Sequence, residues 1–308
     1  MAATARSGNI RIGISGWNYV GWRGVFYPPK LRHRDELAYA SRAFRSIEIN
    51  GTHYSLQRPE SFAAWIEGTP KDFVFAVKGS RFITHMLRLR NAENALANFF
   101  AQGVLRLGPK LGPILWQFPP DFSFDPERIE AFLAALPRDT AAALEIARSY
   151  DRRVRHGTWL AIDRPRRLRY AMEIRHDSFI DPRFIALLRK YRVALVCADT
   201  VEWPLLMDVT SDFIYCRLHG SEQLYASGYE AKAIARWAWR IAAWASGGEA
   251  PDGKRASDRP APKRARRDVF VYFDNDAKVR APFDALALTE AVARHLRYGG
   301  GTARTKTR

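Results

Sequence analysis

Cysteine is nearly absent from this 308-residue chain: Cys197 and Cys216 are the only two, and both lie inside apolar runs that read as buried strands. Two inert core thiols exclude a disulfide framework and make a poor thiolate metal site. No stretch approaches the roughly 18 apolar residues of a membrane span, and residues 1–9 are short and polar with no apolar run behind them. A cytoplasmic chain with no membrane partner is therefore expected. Also missing are Gly-x-Ser-x-Gly, Gly-x-Gly-x-x-Gly and Gly-x-x-x-x-Gly-Lys-Ser/Thr, so a serine hydrolase, a dinucleotide enzyme and a P-loop enzyme each lack their usual signature. Acidic residues are in deficit, 32 against 49 Lys and Arg, which leaves a net charge of +17.

What is present is a globular composition, 47% apolar, with the surplus charge gathered in three places. Residues 152–169 carry a net +6, residues 251–268 a net +4 and residues 301–308 a net +3. The last two are rich in Pro, Gly, Ala and Ser, and they read as an exposed, weakly ordered insertion, dispensable for folding, and a disordered basic tail. Such segments attract polyanions loosely, so nucleic acid is a possible partner through them.

The remainder alternates. Apolar strands are read at 10–15, 46–50, 73–77, 112–118, 168–174, 192–198, 213–217 and 269–273, with helices at 34–44, 61–67, 92–107, 126–136, 140–151, 182–191, 230–245 and 282–296. Eight strands, mostly separated by helices, predict an α/β fold: a single (β/α)8 barrel of the TIM type over residues 10–298, carrying extra insertions at about 140–167 and 247–268, between a flexible N-terminus (1–9) and a tail (299–308). In such a barrel the carboxyl ends of all strands meet on one rim. The clearest strand end is 168–178, where an alternating run gives way to Glu173, Arg175, His176 and Asp177. The other strands end in the same manner, in Ser15, Glu48 with Asn50, Lys78, Gln117, Asp199, Arg217 with His219, and Asn275.

These motifs also carry a resemblance. Gly13-Ile-Ser-Gly-Trp17, Ile47-Glu-Ile-Asn-Gly-Thr-His-Tyr54, Phe75-Ala-Val-Lys78, Thr84-His85, Leu115-Trp-Gln-Phe-Pro-Pro120, Glu173-Ile-Arg-His176, Asp199, Arg217-Leu-His-Gly220 and Tyr272-Phe-Asp-Asn275 together resemble the YecE-like family, domain of unknown function 72. The resemblance spans nearly the whole chain and implies a TIM-type barrel but no reaction. The insertions before the fifth and eighth strands depart from that pattern and leave the rim motifs intact.

On the rim, Glu48, Glu173, His176, Asp199 and His219 are the candidate acids and bases, because carboxylate and imidazole together permit proton transfer. Trp17, Asn50, Tyr54, Lys78, His85, Gln117, Arg175, Arg217 and Asn275 are the candidate substrate-binding groups. Cations at a concave rim suit a carboxylate or phosphate, and Arg217, with its bidentate fork, is expected to hold it. A divalent metal on Glu48, His85, Glu173, Asp199 and His219 is disfavoured by the neighbouring cations and by the absence of tight ligand spacing. The function expected is an enzyme for a phosphate-bearing or other anionic small molecule, of phosphoester hydrolase (nuclease-like) or sugar-phosphate isomerase or lyase type. A non-catalytic nucleic-acid-binding barrel and a carbohydrate-active barrel are the alternatives.

Overall fold

A computed structural model of the chain describes residues 7–220 and 224–298. Eight strands close into a barrel in sequence order, each parallel to both neighbours: β1 (Ile10–Ser15), β2 (Ser46–Ile49), β3 (Val74–Lys78), β4 (Leu111–Gln117), β5 (Tyr170–Glu173), β6 (Ala194–Asp199), β7 (Phe213–Leu218) and β8 (Asp268–Phe273). The helices are α1 (Glu36–Ala43), α2 (Gly51–Tyr54), α3 (Pro59–Glu67), α4 (Glu93–Ala101), α5 (Pro126–Ala135), α6 (Thr140–Ala147), α7 (Pro182–Tyr191), α8 (Ala231–Ala245) and α9 (Arg280–Tyr298). The expected barrel is thus the observed one. Several helices start where local chemistry dictates: α5 and α7 open on Asp-Pro, with Asp125 and Asp181 accepting from the backbone nitrogens of Arg128 and Arg183. The helix expected to run to residue 107 breaks at Ala101, because Gly103 takes φ +126° and a 3-10 segment follows.

Strand alternation sorts the core into two layers. Ile47, Ile49, Val77, Met172 and Val271 face outward onto the helices, while Ala76, Leu115, Ala171, Val196, Tyr215, Phe270 and Tyr272 face inward. The interior is filled unevenly: aromatic rings from β7 and β8 reach across to alanines on β3, β5 and β6. Glycine is obligatory at 13, where a Cβ would stand 1.8 Å from the Ser46 carbonyl oxygen. The barrel floor is an ion-pair layer, with Arg169 on Asp268 at 2.7 Å and Arg167 on Asp212 at 2.7 Å. Part of the basic stretch before β5 is therefore structural.

The basic insertion is exposed over most of its length but tied down. Asp208 accepts from the backbone nitrogens of Ala256 and Ser257 at 2.8 and 3.1 Å, Arg240 grips Asp252, and buried Arg267 donates to the carbonyls of Gly247, Gly248 and Pro262. A segment expected to be weakly ordered thus satisfies polar groups on the barrel wall. Of the ends expected to be flexible, residues 1–6 and 299–308 lie outside the described residues, whereas Gly8 and Asn9 are hydrogen-bonded to Ala245 and Asp268. Among the described residues no helix is long and apolar enough to cross a membrane.

Candidate functional site

The inward parity of each strand decides what reaches the carboxyl-end mouth. Ser15, Glu48, Asn50, Lys78, Gln117, Glu173, Arg175, Arg217 and His219 continue inward-facing series and converge there; all but Asn50 and Arg175 are buried. At the centre stands Arg217, fully buried, donating from Nη1 to Glu173 Oε2 at 2.8 Å and from Nη2 to Glu48 Oε1 at 3.0 Å and Asp274 Oδ2 at 2.8 Å. Glu48 is closed off by Ser15 Oγ and by Tyr215 Oη, each at 2.5 Å. Glu173 also accepts from Gln117 Nε2 at 2.7 Å and Arg175 Nε at 2.9 Å. Burial alone would raise these carboxyls, yet Arg217 and its neighbours hold Glu173 and Asp274 well below the usual carboxylate range.

This corrects the role expected of Arg217. Its Nη1 and Nη2 are taken by carboxylates, and the remaining Nε is buried without a partner among the described residues, so no fork is left for a substrate anion. Lys78 is different. It is 6% exposed, faces inward at the end of β3, and among the described residues makes no hydrogen bond or ion pair through Nζ. Burial, then the Arg217 guanidinium, pushes its ammonium down to about 8.

Beside Lys78 are two imidazoles. His53, absent from the sequence candidates, donates from Nδ1 to the Gly79 carbonyl oxygen at 2.8 Å, an acceptor that fixes the proton on that nitrogen. Burial and then Lys78 push it down to about 3. His85, with Nδ1 2.8 Å from Thr84 Oγ1, goes down to about 4, through burial and then the charges of Arg175, Lys78 and Arg81. Three cations thus act on one neutral ring. The loop that carries His85 is unusual: a π-helical turn spans Phe82–Met86, and Arg88, Leu89 and Asn91 all have positive φ. Backbone of this kind is strained and is found most often at functional sites. Gly79 anchors its start, since a Cβ there would stand 2.2 Å from the Trp116 ring.

On the opposite wall, His219 is fully buried between the rings of Trp203 and Tyr225, at 5.6 and 5.4 Å between centroids. Its Nδ1 is 3.2 Å from Asp274 Oδ2 but off hydrogen-bond geometry, and Nε2 has no partner among the described residues. Arg175 lies 4.1 Å over Trp203. Half-buried Asp276 is pushed up to about 6 by burial and then by Asp274.

Several candidates do not join the group. Asp199 and Asn275 have outward parity: Asp199 accepts from Trp237 Nε1 at 3.0 Å, and Asn275 donates to Ser227 O and Asp284. His176 caps the turn at Asp177–Phe179. Trp17 packs edge-on against Trp65. Tyr54 is exposed at the rim with Arg81 above it. Asp274, one residue before Asn275, is the inward group that the sequence reading passed over; the alternation of Phe270 and Tyr272 was the signal for it. Among the described residues no three His, Cys, Asp or Glu side chains are arranged to hold a metal ion. A cleft of about 620 Å³ opens at the other end, between Phe44, Phe73 and Val292, but its walls are mainly apolar and no charged network converges there.

Residues 11–306 match the family described as protein of unknown function DUF72. Curated relatives include UPF0759 protein YecE of Escherichia coli, 30% identical over 140 residues (44% of this chain, 48% of the relative), and UPF0759 protein YunF of Bacillus subtilis, 30% identical over 125 residues (39% and 43%). The chain spans about half the length of the curated relatives it matches. A solved DUF72 family protein of Thermotoga maritima superposes with a TM-score of 0.69 at 23% identity, covering 92% of this chain and 99% of that one. One from Enterococcus faecalis gives 0.62 at 18%, covering 92% and 95%. At those identities the likeness carries the fold alone.

Proposed function

The chain belongs to the DUF72 family, and on that premise we propose that it is an enzyme that takes a small anionic substrate into the barrel mouth and acts on it by general acid–base chemistry. One observation carries this reading: among the described residues the buried ammonium of Lys78 has no hydrogen-bond or ion-pair partner, whereas Arg217, the other buried cation of the mouth, is bound by three carboxylates whose charges reach Lys78 only from farther off. An unpaired buried ammonium disfavours folding by several kcal/mol, and a ligand carboxylate or phosphate would remove that penalty. Arg175 and Arg81 extend the positive wall around His85, so the anion belongs on the β3 side and the reacting carbon or oxygen toward β8.

Proton transfer falls to groups whose environments differ. Asp276, titrating at about 6, gives and takes the proton near neutral pH, His219 offers an Nε2 with no partner among the described residues, and Asp274 stays ionised beside Arg217 as a positioning group. Glu48 and Glu173, locked onto Arg217, become positioning groups. Those locks favour isomerisation or lysis of a phosphate- or carboxylate-bearing substrate over phosphoester hydrolysis, which needs a carboxylate free to orient water. The nucleic-acid alternative has less support, because Arg153, Arg166, Arg167 and Arg169 are paired with Asp151, Asp163, Asp212 and Asp268.

The test is an NMR titration of the histidine rings with inorganic phosphate. A bound anion should raise the His85 midpoint from about 4, and Lys78→Met should abolish the response. A His85 midpoint indifferent to phosphate removes the anion site.

A further inference from the structure

We infer that Lys78 is a nucleophile: its ε-amine attacks the carbonyl carbon of an aldehyde or ketone that also bears a carboxylate or phosphate, and holds it as an iminium ion. This deepens the proposal of an anionic substrate in the mouth and rests on it. The chain supplies its own comparison. Lys110 is as buried as Lys78, 7% against 6% exposed, but its Nζ donates to Ile66 O at 2.7 Å, Thr69 O at 2.9 Å and Thr69 Oγ1 at 2.9 Å. That is how a structural lysine is accommodated here. Among the described residues Lys78 Nζ has no such partners, and it ends a strand inside a polar mouth, next to strained backbone.

Desolvation beside a second cation is how an amine is made nucleophilic near neutral pH. With its ammonium down to about 8, about a tenth of Lys78 is neutral at pH 7, against fewer than about one in a thousand for an ordinary lysine. The step balances without oxidant or reductant. The Nζ lone pair forms the C–N bond and the carbonyl π pair moves to oxygen, which takes a proton. Nitrogen then gives a proton to the Asp276 carboxylate or to solvent; the hydroxyl, protonated from the Asp276 carboxyl or solvent, leaves as water as C=N forms. Amine, carbonyl and one proton give iminium and water. The iminium then draws electrons from the adjacent carbon, so that a carboxylate can remove its proton or a bond to it can break.

The experiment traps the iminium. The full chain is incubated at pH 7.5 with sodium borohydride and, separately, pyruvate, dihydroxyacetone phosphate or uncharged dihydroxyacetone, then mapped by peptide mass spectrometry. The expected result is one reduced adduct per chain on the peptide holding Lys78, with pyruvate or dihydroxyacetone phosphate, and about tenfold less with dihydroxyacetone, since a charged contact is lost. Which anionic probe labels distinguishes carboxylate from phosphate. Lys78→Arg, shown folded by circular dichroism, should lose the adduct. No adduct at Lys78 with either anionic probe, or equal labelling of the exposed lysines, overturns the inference. A phosphate response at His85 without an adduct removes the nucleophile and leaves the anion site; absence of both removes both.

Discussion

Arg217 Nη1 and Glu173 Oε2 meet at 2.8 Å with both side chains fully buried, and the same guanidinium reaches Glu48 and Asp274. One cation therefore joins β2, β5, β7 and the end of β8 across the mouth. Replacing a partner in such a cluster leaves uncompensated charge in low dielectric.

Arg217→Met should therefore cost about 3–5 kcal/mol in urea unfolding. Arg217→Lys should lose much of the same, because one ammonium cannot span three carboxylates. Adding Glu173→Gln to Arg217→Met should recover part of the loss. A cost below about 1 kcal/mol for Arg217→Met would mean that the cluster does not hold the mouth together.

Lys78→Met should do the opposite and raise stability at pH 7 by about 1–3 kcal/mol, since it removes an unpaired buried charge and keeps the apolar stem. The sign with pH follows from the shift. The folded ammonium titrates at about 8 and the unfolded one at 10.5, so between those values the unfolded chain binds more protons and wild-type stability rises with pH. The advantage of the variant should shrink from pH 8 toward 9.5 in thermal melts, before tyrosine ionisation intervenes. A destabilised Lys78→Met protein would show that Lys78 has a structural partner.

His53 predicts the acid limb. Its ring titrates at about 3 in the folded chain against 6.5 unfolded, so stability falls as pH drops from 6.5 to about 3, with a slope of up to about 1.4 kcal/mol per pH unit. His85, at about 4, acts in the same direction over a shorter window. His53→Asn retains a donor for the Gly79 carbonyl and removes the titration, and the slope between pH 6 and 4.5 should flatten. Below the ordinary carboxylate range both proteins should lose stability further, as the depressed Glu173 and Asp274 take up protons. Superimposable pH profiles would mean that His53 is protonated in the folded chain.

How far the site could be read beforehand depended on side-chain parity. Glu48, Lys78, Gln117, Glu173 and Arg217 sit mid-strand or at the last strand residue, where period two fixes the face, and all five turn inward as expected. The same rule places Asp199, the last residue of β6, outward and, carried past the end of β8, places Asp274 inward and Asn275 outward. Choosing by residue type at the strand end selected an outward-facing member in both cases. His53, in the one-turn α2, and Trp203 and Tyr225, in loops, were not legible, since the course of these segments is set by barrel closure rather than by local pattern. Nor could the sequence show that Arg217 would be saturated. Counting charges gave a cationic rim, but distances show three carboxylates bound to Arg217, one of them also to Arg175, and Lys78 without a direct partner among the described residues.

The segment 251–268 offers the last prediction. Its composition argues for a mobile chain, but Asp208, 3% exposed, accepts two backbone nitrogens from it, and burial raises the Asp208 carboxyl while those bonds oppose the shift. Met207 N also donates to Lys254 O at 2.8 Å, so the strand-side loop and the insertion hold each other. Asp208→Ala leaves the nitrogens of Ala256 and Ser257 without acceptors, at about 1–3 kcal/mol. Because proteolysis of a rapidly reclosing segment follows its opening equilibrium, trypsin should cut between Lys254 and Arg266 roughly tenfold faster for each 1.4 kcal/mol lost there. Cleavage elsewhere should change little, because the barrel does not depend on this turn. An unchanged cutting rate would place the segment's order in Arg267, whose carbonyl contacts lie at the far end, and a uniform rise across the chain would make Asp208 part of the barrel's own stability.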